Sequence, residues 1–244
     1  MRIYILRHGE TEWNKVKRLQ GVTDIPLDEK GISLASKVGE EMKKEGIAFR
    51  ACVSSPLQRA KKTAMLVLSE TNRHEAGAEA AMDDGQRKSK DAENEGRASG
   101  SVRGIPFTTD IRIREVNLGP FEGRCLRDDP RFESAGPMAQ VFFHSPAEYK
   151  APEGAESYEA IIERTGEFLQ ETAKRYADLE GKDFNLLVST HGCASRALLM
   201  NIDPVPLSDY WRDRVPPNCA VSIAELKDGK WVLTEKDHLY ASLV

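Results

Sequence analysis

Residues 184–189 read FNLLVS, a short unbroken apolar run with a turn glycine, Gly181, just ahead of it. A run of this kind is what a strand needs when helices cover both faces of its sheet. Its end is abrupt. Thr190-His191-Gly192 follows, and then a stretch with helical spacing, 194–200. The chain begins in the same way: residues 2–6, RIYIL, suit a buried strand and stop at Arg7-His8-Gly9-Glu10. Strands that hand over to helices predict an α/β fold, a three-layer sandwich with a mainly parallel central sheet and helices on both faces.

The remaining pattern agrees. Asp28 is placed to cap a helix over 28–45, with Leu34, Ala35, Val38 and Met42 on one face and Gly46 as the stop. Ala51-Cys52-Val53 reads as a strand leading into Ser54-Ser55-Pro56, a cap and helix-start proline for a helix to about residue 70. Order resumes at 105–107 and 110–116, where a fourth strand would carry Arg114 and Glu115; 138–144 suits a helical turn. Residues 156–179 carry a long amphipathic pattern. Two closing strands, 220–226 and 230–234, meet through Asp228-Gly229.

One stretch breaks this order. Residues 72–104 contain no Leu, Ile, Phe, Tyr or Trp and are rich in Ala, Gly, Ser and charges. Such a segment buries little apolar surface, so it reads as an exposed, mobile insertion with at most a short helix at 75–82. No linker separates two cores. The expectation is a single domain, 1–244, with an insertion at 72–104.

Composition narrows the function. A net charge of −4 over 244 residues gives neither a nucleic-acid footprint nor an acidic tail. The four cysteines, at 52, 125, 193 and 219, form no CxxC pair and fit a reducing compartment. There is no signal-peptide pattern and no run near the roughly 20 apolar residues that span a bilayer. A cytoplasmic protein without nucleic-acid or membrane partners is expected.

Ligands of open α/β sheets gather beyond the carboxyl ends of the strands. If the strands are neighbours, Arg7, His8, His191, Arg59 one turn into its helix, and Glu115 converge there. Guanidinium forks match phosphate oxygens, and helix starts add backbone donors. A glycine after each histidine, Gly9 and Gly192, lets backbone come close to a ligand. A metal ion is a poor guest among arginines, and no cofactor motif is present. A phosphoryl group is the natural occupant. A neutral imidazole can attack phosphorus, and a carboxylic acid can protonate the leaving oxygen; Glu115 is the best placed acid. A lone histidine at a strand end is more often structural, so the ordered motifs carry the case.

These motifs resemble those of the histidine phosphatase superfamily, also called phosphoglycerate mutase-like. Arg7-His8-Gly9-Glu10-Thr11 with Asn14 matches its RHGET signature. Residues 21–27 (GVTDIPL), 54–64 (SSPLQRAKKTA), 115–123 (EVNLGPFEG) and Thr190-His191-Gly192 follow in the family's order. Asn218-Cys219-Ala220 resembles a segment near its pocket. The resemblance implies that His8 is the phosphorylated nucleophile, its second ring nitrogen fixed by a backbone carbonyl. It implies that Arg7, Arg59 and His191 bind the phosphoryl group and that Asn14, Gly21, Thr23 and Gly192 add contacts. Glu115 would be the proton donor, with Glu122 stabilising a turn. Cys193 borders the site, as filler or as a thiol lowered by cationic neighbours. The 116–124 segment is similar to the phosphatase branch, which implies metal-independent hydrolysis of a small phosphorylated substrate. A cofactor-dependent phosphoglycerate mutase and an inactive phosphate-binding scaffold are the alternatives.

Overall fold

The computed structural model describes residues 1–72, 99–127, 129–212 and 214–242. Its strands are β1 (Arg2–Arg7), β2 (Ala51–Ser54), β3 (Ser99–Val102), β4 (Ile105–Thr109), β5 (Asn185–Thr190), β6 (Val221–Lys227) and β7 (Lys230–His238). Its α-helices are α1 (Glu12–Lys15), α2 (Glu29–Lys44), α3 (Gln58–Thr71), α4 (Gly136–His144), α5 (Tyr158–Arg175) and α6 (Gly192–Ile202). The seven strands form one sheet in the order β3-β4-β2-β5-β1-β6-β7. The four central strands, β4 to β1, run parallel, and the flanking strands pair antiparallel.

Every residue of β5 is buried, as the FNLLVS run requires. Strand alternation sends side chains to two cores. Tyr4, Leu6, Cys52 and Leu187 pack with Val38 and Met42 of α2 and Val67 and Leu68 of α3. Ile3, Ile5, Leu186 and Val188 pack with Phe168 and Leu169 of α5 and Leu198 and Leu199 of α6. Each such side chain contributes about 1.5–3 kcal/mol of burial. Three layers result, with the carboxyl edges of β1, β2 and β5 at one end. A third cluster, rich in aromatic residues, packs around Val116, Phe142, Tyr158 and Trp211.

Several boundaries differ from the sequence expectation for identifiable reasons. Ser54 pairs with Thr109 and Ser189 and so ends β2 instead of capping a helix. Helix α3 starts at Gln58, whose amide donates to Asp24 Oδ1 at 2.7 Å. The expected strand at 110–116 is absent: Asp110 accepts from the Arg112 amide and caps a 3-10 turn, Ile111–Ile113. Glu115 therefore sits in a loop. The turn expected at 138–144 is the helix α4. Helix α5 is capped by Ser157 and ends before a 3-10 turn, Ala177–Leu179. Within 72–104, residues Ser99–Val102 form an exposed edge strand, β3, rather than loose chain. The helix expected at 75–82 lies outside the described residues. Among those residues no helix is long and apolar enough to cross a membrane.

Candidate active site

The parallel register decides what meets. Arg7 lies opposite Thr190, and Ser54 opposite Ser189. Just past these pairs the His8 amide donates to Thr190 O (3.0 Å) and the Ser55 amide to Ser189 O (2.8 Å). His8, Ser55 and His191 therefore emerge side by side at the carboxyl edge. The two imidazole centroids are 5.2 Å apart, with the rings tilted by 59°.

Their hydrogen bonds define two tautomers. His8 Nδ1 lies 2.7 Å from the carbonyl of Gly9. A carbonyl only accepts, so Nδ1 carries the proton and Nε2 keeps its lone pair. In His191 the order is reversed. Arg59 Nε donates to His191 Nδ1 (3.2 Å), so the proton sits on Nε2, which donates to Ser55 Oγ (2.7 Å). Burial, Arg59 and Arg7 hold His8 well below the usual imidazole range. Burial, Arg59 and His8 do the same to His191. Both rings are thereby held toward the neutral form.

Arg59 is fully buried, and burial brings its guanidinium down to about 10. Besides His191, it donates to Thr23 O (2.8 Å) and Gly21 O (2.6 Å). Of its five N–H groups, one on each terminal nitrogen is left over. Arg7 donates through Nη1 to Pro216 O, while its Nε is buried and without a hydrogen-bond partner. Glu115 Oε1 accepts from the amides of Val116 (3.0 Å) and Ala194 (3.0 Å), and Oε2 from Cys193 (3.1 Å). These donors favour the carboxylate, but burial outweighs them and raises the Glu115 pKa.

The start of α6 is thus occupied by Glu115, and that of α3 by Asp24. The expectation that these helix starts offer backbone donors to an anion is corrected: carboxylate side chains take those amides first. Gly9 also has a different reason from the one expected. A Cβ there would lie 2.6 Å from Gly31 O, so the glycine allows the loop after β1 to press onto α2. At Gly192 a Cβ would face Arg7 Nε at 3.6 Å, on the ligand side. Burial pushes the Cys193 thiol well above its ordinary pKa, so its cationic neighbours do not activate it.

A cavity of about 360 Å³ opens beside these groups. Arg7, His8, Asn14, Glu115 and Gly192 line it, as do Lys17, Arg18, Gln20 and Asn218. Gln20 Nε2 is a second buried donor without a partner. Asn218 donates to His8 O (3.0 Å) and Asn14 Oδ1 (3.3 Å). Arg59 and His191 are fully buried, and neither they nor Gly21 and Thr23 are among this cavity's lining residues. The 21–23 loop is organised by Glu122, which accepts from the amides of Gly21 (3.2 Å), Val22 (2.9 Å) and Thr23 (3.3 Å) and from Thr23 Oγ1 (2.8 Å). Sequence reasoning singled out Glu122 as a turn stabiliser but did not see Gln20, Lys17 or the Asp24 cap. Gln20 adjoins the GVTDIPL motif, the one signal that could have drawn attention to it.

An imidazole with its tautomer fixed, an arginine with an unpartnered N–H and a buried carboxyl thus meet on one cavity. The chain belongs to the histidine phosphatase superfamily (branch 1), whose family model matches residues 3–87 and 92–237. It is 29% identical over 232 residues to a probable phosphoglycerate mutase GpmB of Salmonella arizonae, covering 95% of this chain and 88% of that protein. It is 26% identical to a metal-independent phosphoserine phosphatase of Arabidopsis thaliana, covering 95% of this chain and 79% of the relative. Among solved structures, Bacillus stearothermophilus YhfR superposes with a TM-score of 0.72 at 27% identity, over 96% of this chain and 95% of that one.

Proposed function

We propose that this protein is a metal-independent phosphomonoesterase that works through a phosphohistidine on His8. One observation carries the reading: the Gly9 carbonyl holds the proton on His8 Nδ1 and leaves the Nε2 lone pair at a cavity that Glu115 also lines. In the first step Nε2 attacks phosphorus, the N–P bond forms and the P–O ester bond breaks. The departing oxygen takes the Glu115 proton, whose site is the less engaged Oε2. In the second step Glu115, now a carboxylate, removes a proton from water. The resulting oxygen attacks phosphorus, the N–P bond breaks, and phosphate leaves with His8 restored.

Arg7 contacts the transferring group through its unpartnered Nε, with Asn14 and Gly192 beside it. His191 holds Arg59 in place, and Arg59 fixes the 21–23 loop and supplies positive charge and its two leftover N–H groups to the phosphoryl group. We read the chain as one domain with an insertion at 72–104, and its buried free cysteines as suited to the cytoplasm.

Hydrolysis of p-nitrophenyl phosphate in the presence of a chelator, with an acid-labile, base-stable phosphoryl label on His8, is the expected result. No turnover and no label, together with no interconversion of phosphoglycerates, would leave only the scaffold reading. A bisphosphoglycerate-dependent interconversion of 3- and 2-phosphoglycerate faster than hydrolysis would favour the mutase.

A further inference from the structure

A second cavity, of about 880 Å³, lies against the first. The two share four lining residues: Leu126, Phe143, Trp211 and Val215. These are apolar side chains, and two of them, Leu126 and Val215, are large hydrophobic groups exposed to solvent, 43% and 36%. An apolar throat of this kind between a phosphoryl site and a larger hollow has no use for a small polar leaving group. The throat is also rigid. Trp211 Nε1 donates to Phe142 O (3.0 Å) and to the Tyr158 hydroxyl (2.9 Å), and the Phe143 and Trp211 rings meet at a 40° tilt with centroids 5.1 Å apart. Beyond it the outer cavity offers polar groups, among them Gln140, Ser208 and Arg214.

The inner cavity alone is near the low end of the roughly 300–1,000 Å³ typical of small-ligand sites. We infer that the natural substrate is the phosphate monoester of a bulky alcohol, apolar or aromatic next to the ester oxygen, whose body passes between Leu126, Phe143, Trp211 and Val215 into the outer cavity. This rests on the hydrolytic reading given above and specifies its substrate class. The phosphoryl end sits at His8, the flat apolar part lies along the Trp211 and Phe143 wall, and a polar end group reaches Gln140 or Arg214. Esters as small as phosphoserine or phosphoglycerate would fill only the inner cavity and leave the apolar throat wet.

Binding of non-hydrolysable phosphonates to the intact protein tests this apart from turnover. Calorimetry should show 1-naphthylmethylphosphonate binding about tenfold or more tighter than methylphosphonate and 2-amino-4-phosphonobutanoate, the isostere of phosphoserine. Equal or weaker binding of the naphthyl compound overturns the inference. Leu126→Ser and Val215→Ser change exposed positions, and each should lower the naphthyl-to-methyl affinity ratio about threefold or more. A ratio unchanged in both variants also overturns it, because the ligand then does not cross the throat. Turnover of 1-naphthyl phosphate and phosphoserine is followed in parallel. Failure to hydrolyse either ester counts against the hydrolytic reading, and the phosphonate ranking still decides the substrate class.

Discussion

His8 and His191 end neighbouring parallel strands with the same His-Gly unit, and their rings lie 5.2 Å apart. Their surroundings nevertheless differ in kind. His8 is held by one backbone carbonyl and borders the cavity, with one nitrogen unengaged. His191 has both nitrogens engaged by side chains, Arg59 on one side and Ser55 on the other, and is fully buried. The same two letters thus produce a group able to react and a group that locks an arginine in place. Reactivity follows from the free nitrogen, and position in the sequence motif does not determine it.

The comparison breaks most visibly if the two histidines are exchanged in role. His8→Ala should lose activity on the order of 10⁴-fold or more, along with all phosphoryl label. His191→Ala should lose on the order of 10²–10³-fold and still acquire label on His8, more slowly. Rapid-quench labelling with a phosphomonoester separates the two. Label that persists in His8→Ala and vanishes in His191→Ala would reverse the assignment.

Glu115 sharpens the same contrast, since it faces the cavity with His8. Glu115→Gln should lower kcat on the order of 10²–10³-fold. Burial raises the Glu115 pKa and holds the His8 pKa down, so the acid must keep its proton while the ring stays neutral. Activity should fall at the alkaline side as Glu115 loses its proton. That limb should disappear in Glu115→Gln; an unchanged pH–rate profile would assign the proton donor elsewhere.

How much of this contrast the sequence could carry depends on which forces set it. The buried run at 184–189 and the RIYIL start mark two strands that each hand over to a His-Gly unit; that they are parallel neighbours, with Arg7 opposite Thr190, is set by the sheet. The convergence of His8 and His191 follows directly. The partners that distinguish the two rings come from loops. Arg59 reaches Gly21 and Thr23, and Glu122 reaches the 21–23 amides from about a hundred residues away. No local periodicity encodes such contacts. The Asp24 cap on α3 and the placement of Trp211 are long-range in the same sense, which is why the cavity lining beyond the motifs was not legible. Helix starts were misjudged for a related reason. The pattern shows that donors exist but not that Glu115 and Asp24 occupy them.

A smaller effect should appear in stability against pH. Both rings have folded pKa values well below the ordinary imidazole value. Below about pH 6.5 the unfolded chain therefore binds protons that the native state refuses. Stability rises with pH in that window and falls on acidification, on the order of 1 kcal/mol per pH unit for each ring that stays neutral in the fold. Glu115 acts with the opposite sign: its raised pKa removes stability as pH climbs above the ordinary carboxylate value. Urea unfolding at pH 7, 6 and 5 should show the histidine slope, and His8→Asn or His191→Asn should each remove one share of it. Equal slopes in wild type and both variants would mean that the rings are not buried as neutral groups.

The smallest change bears on the tautomer of His191. Ser55 Oγ is the acceptor for the Nε2 proton, and Arg59 Nε, which can only donate, prevents the ring from moving that proton to Nδ1. Ser55→Ala therefore leaves the buried Nε2 donor without a partner, at a cost of about 1–3 kcal/mol, and also removes the weaker acceptor of the Leu57 amide (3.3 Å). His8 has no contact with Ser55 in this network, so its label should form as before, and kcat should fall less than tenfold. Ser55→Thr keeps the oxygen and should recover much of the stability, less whatever the added methyl costs in a packed site. If Ser55→Ala unfolds at the same urea midpoint as wild type, the Nε2 proton is not where the arginine requires it, and the two histidines are more alike than their hydrogen bonds indicate.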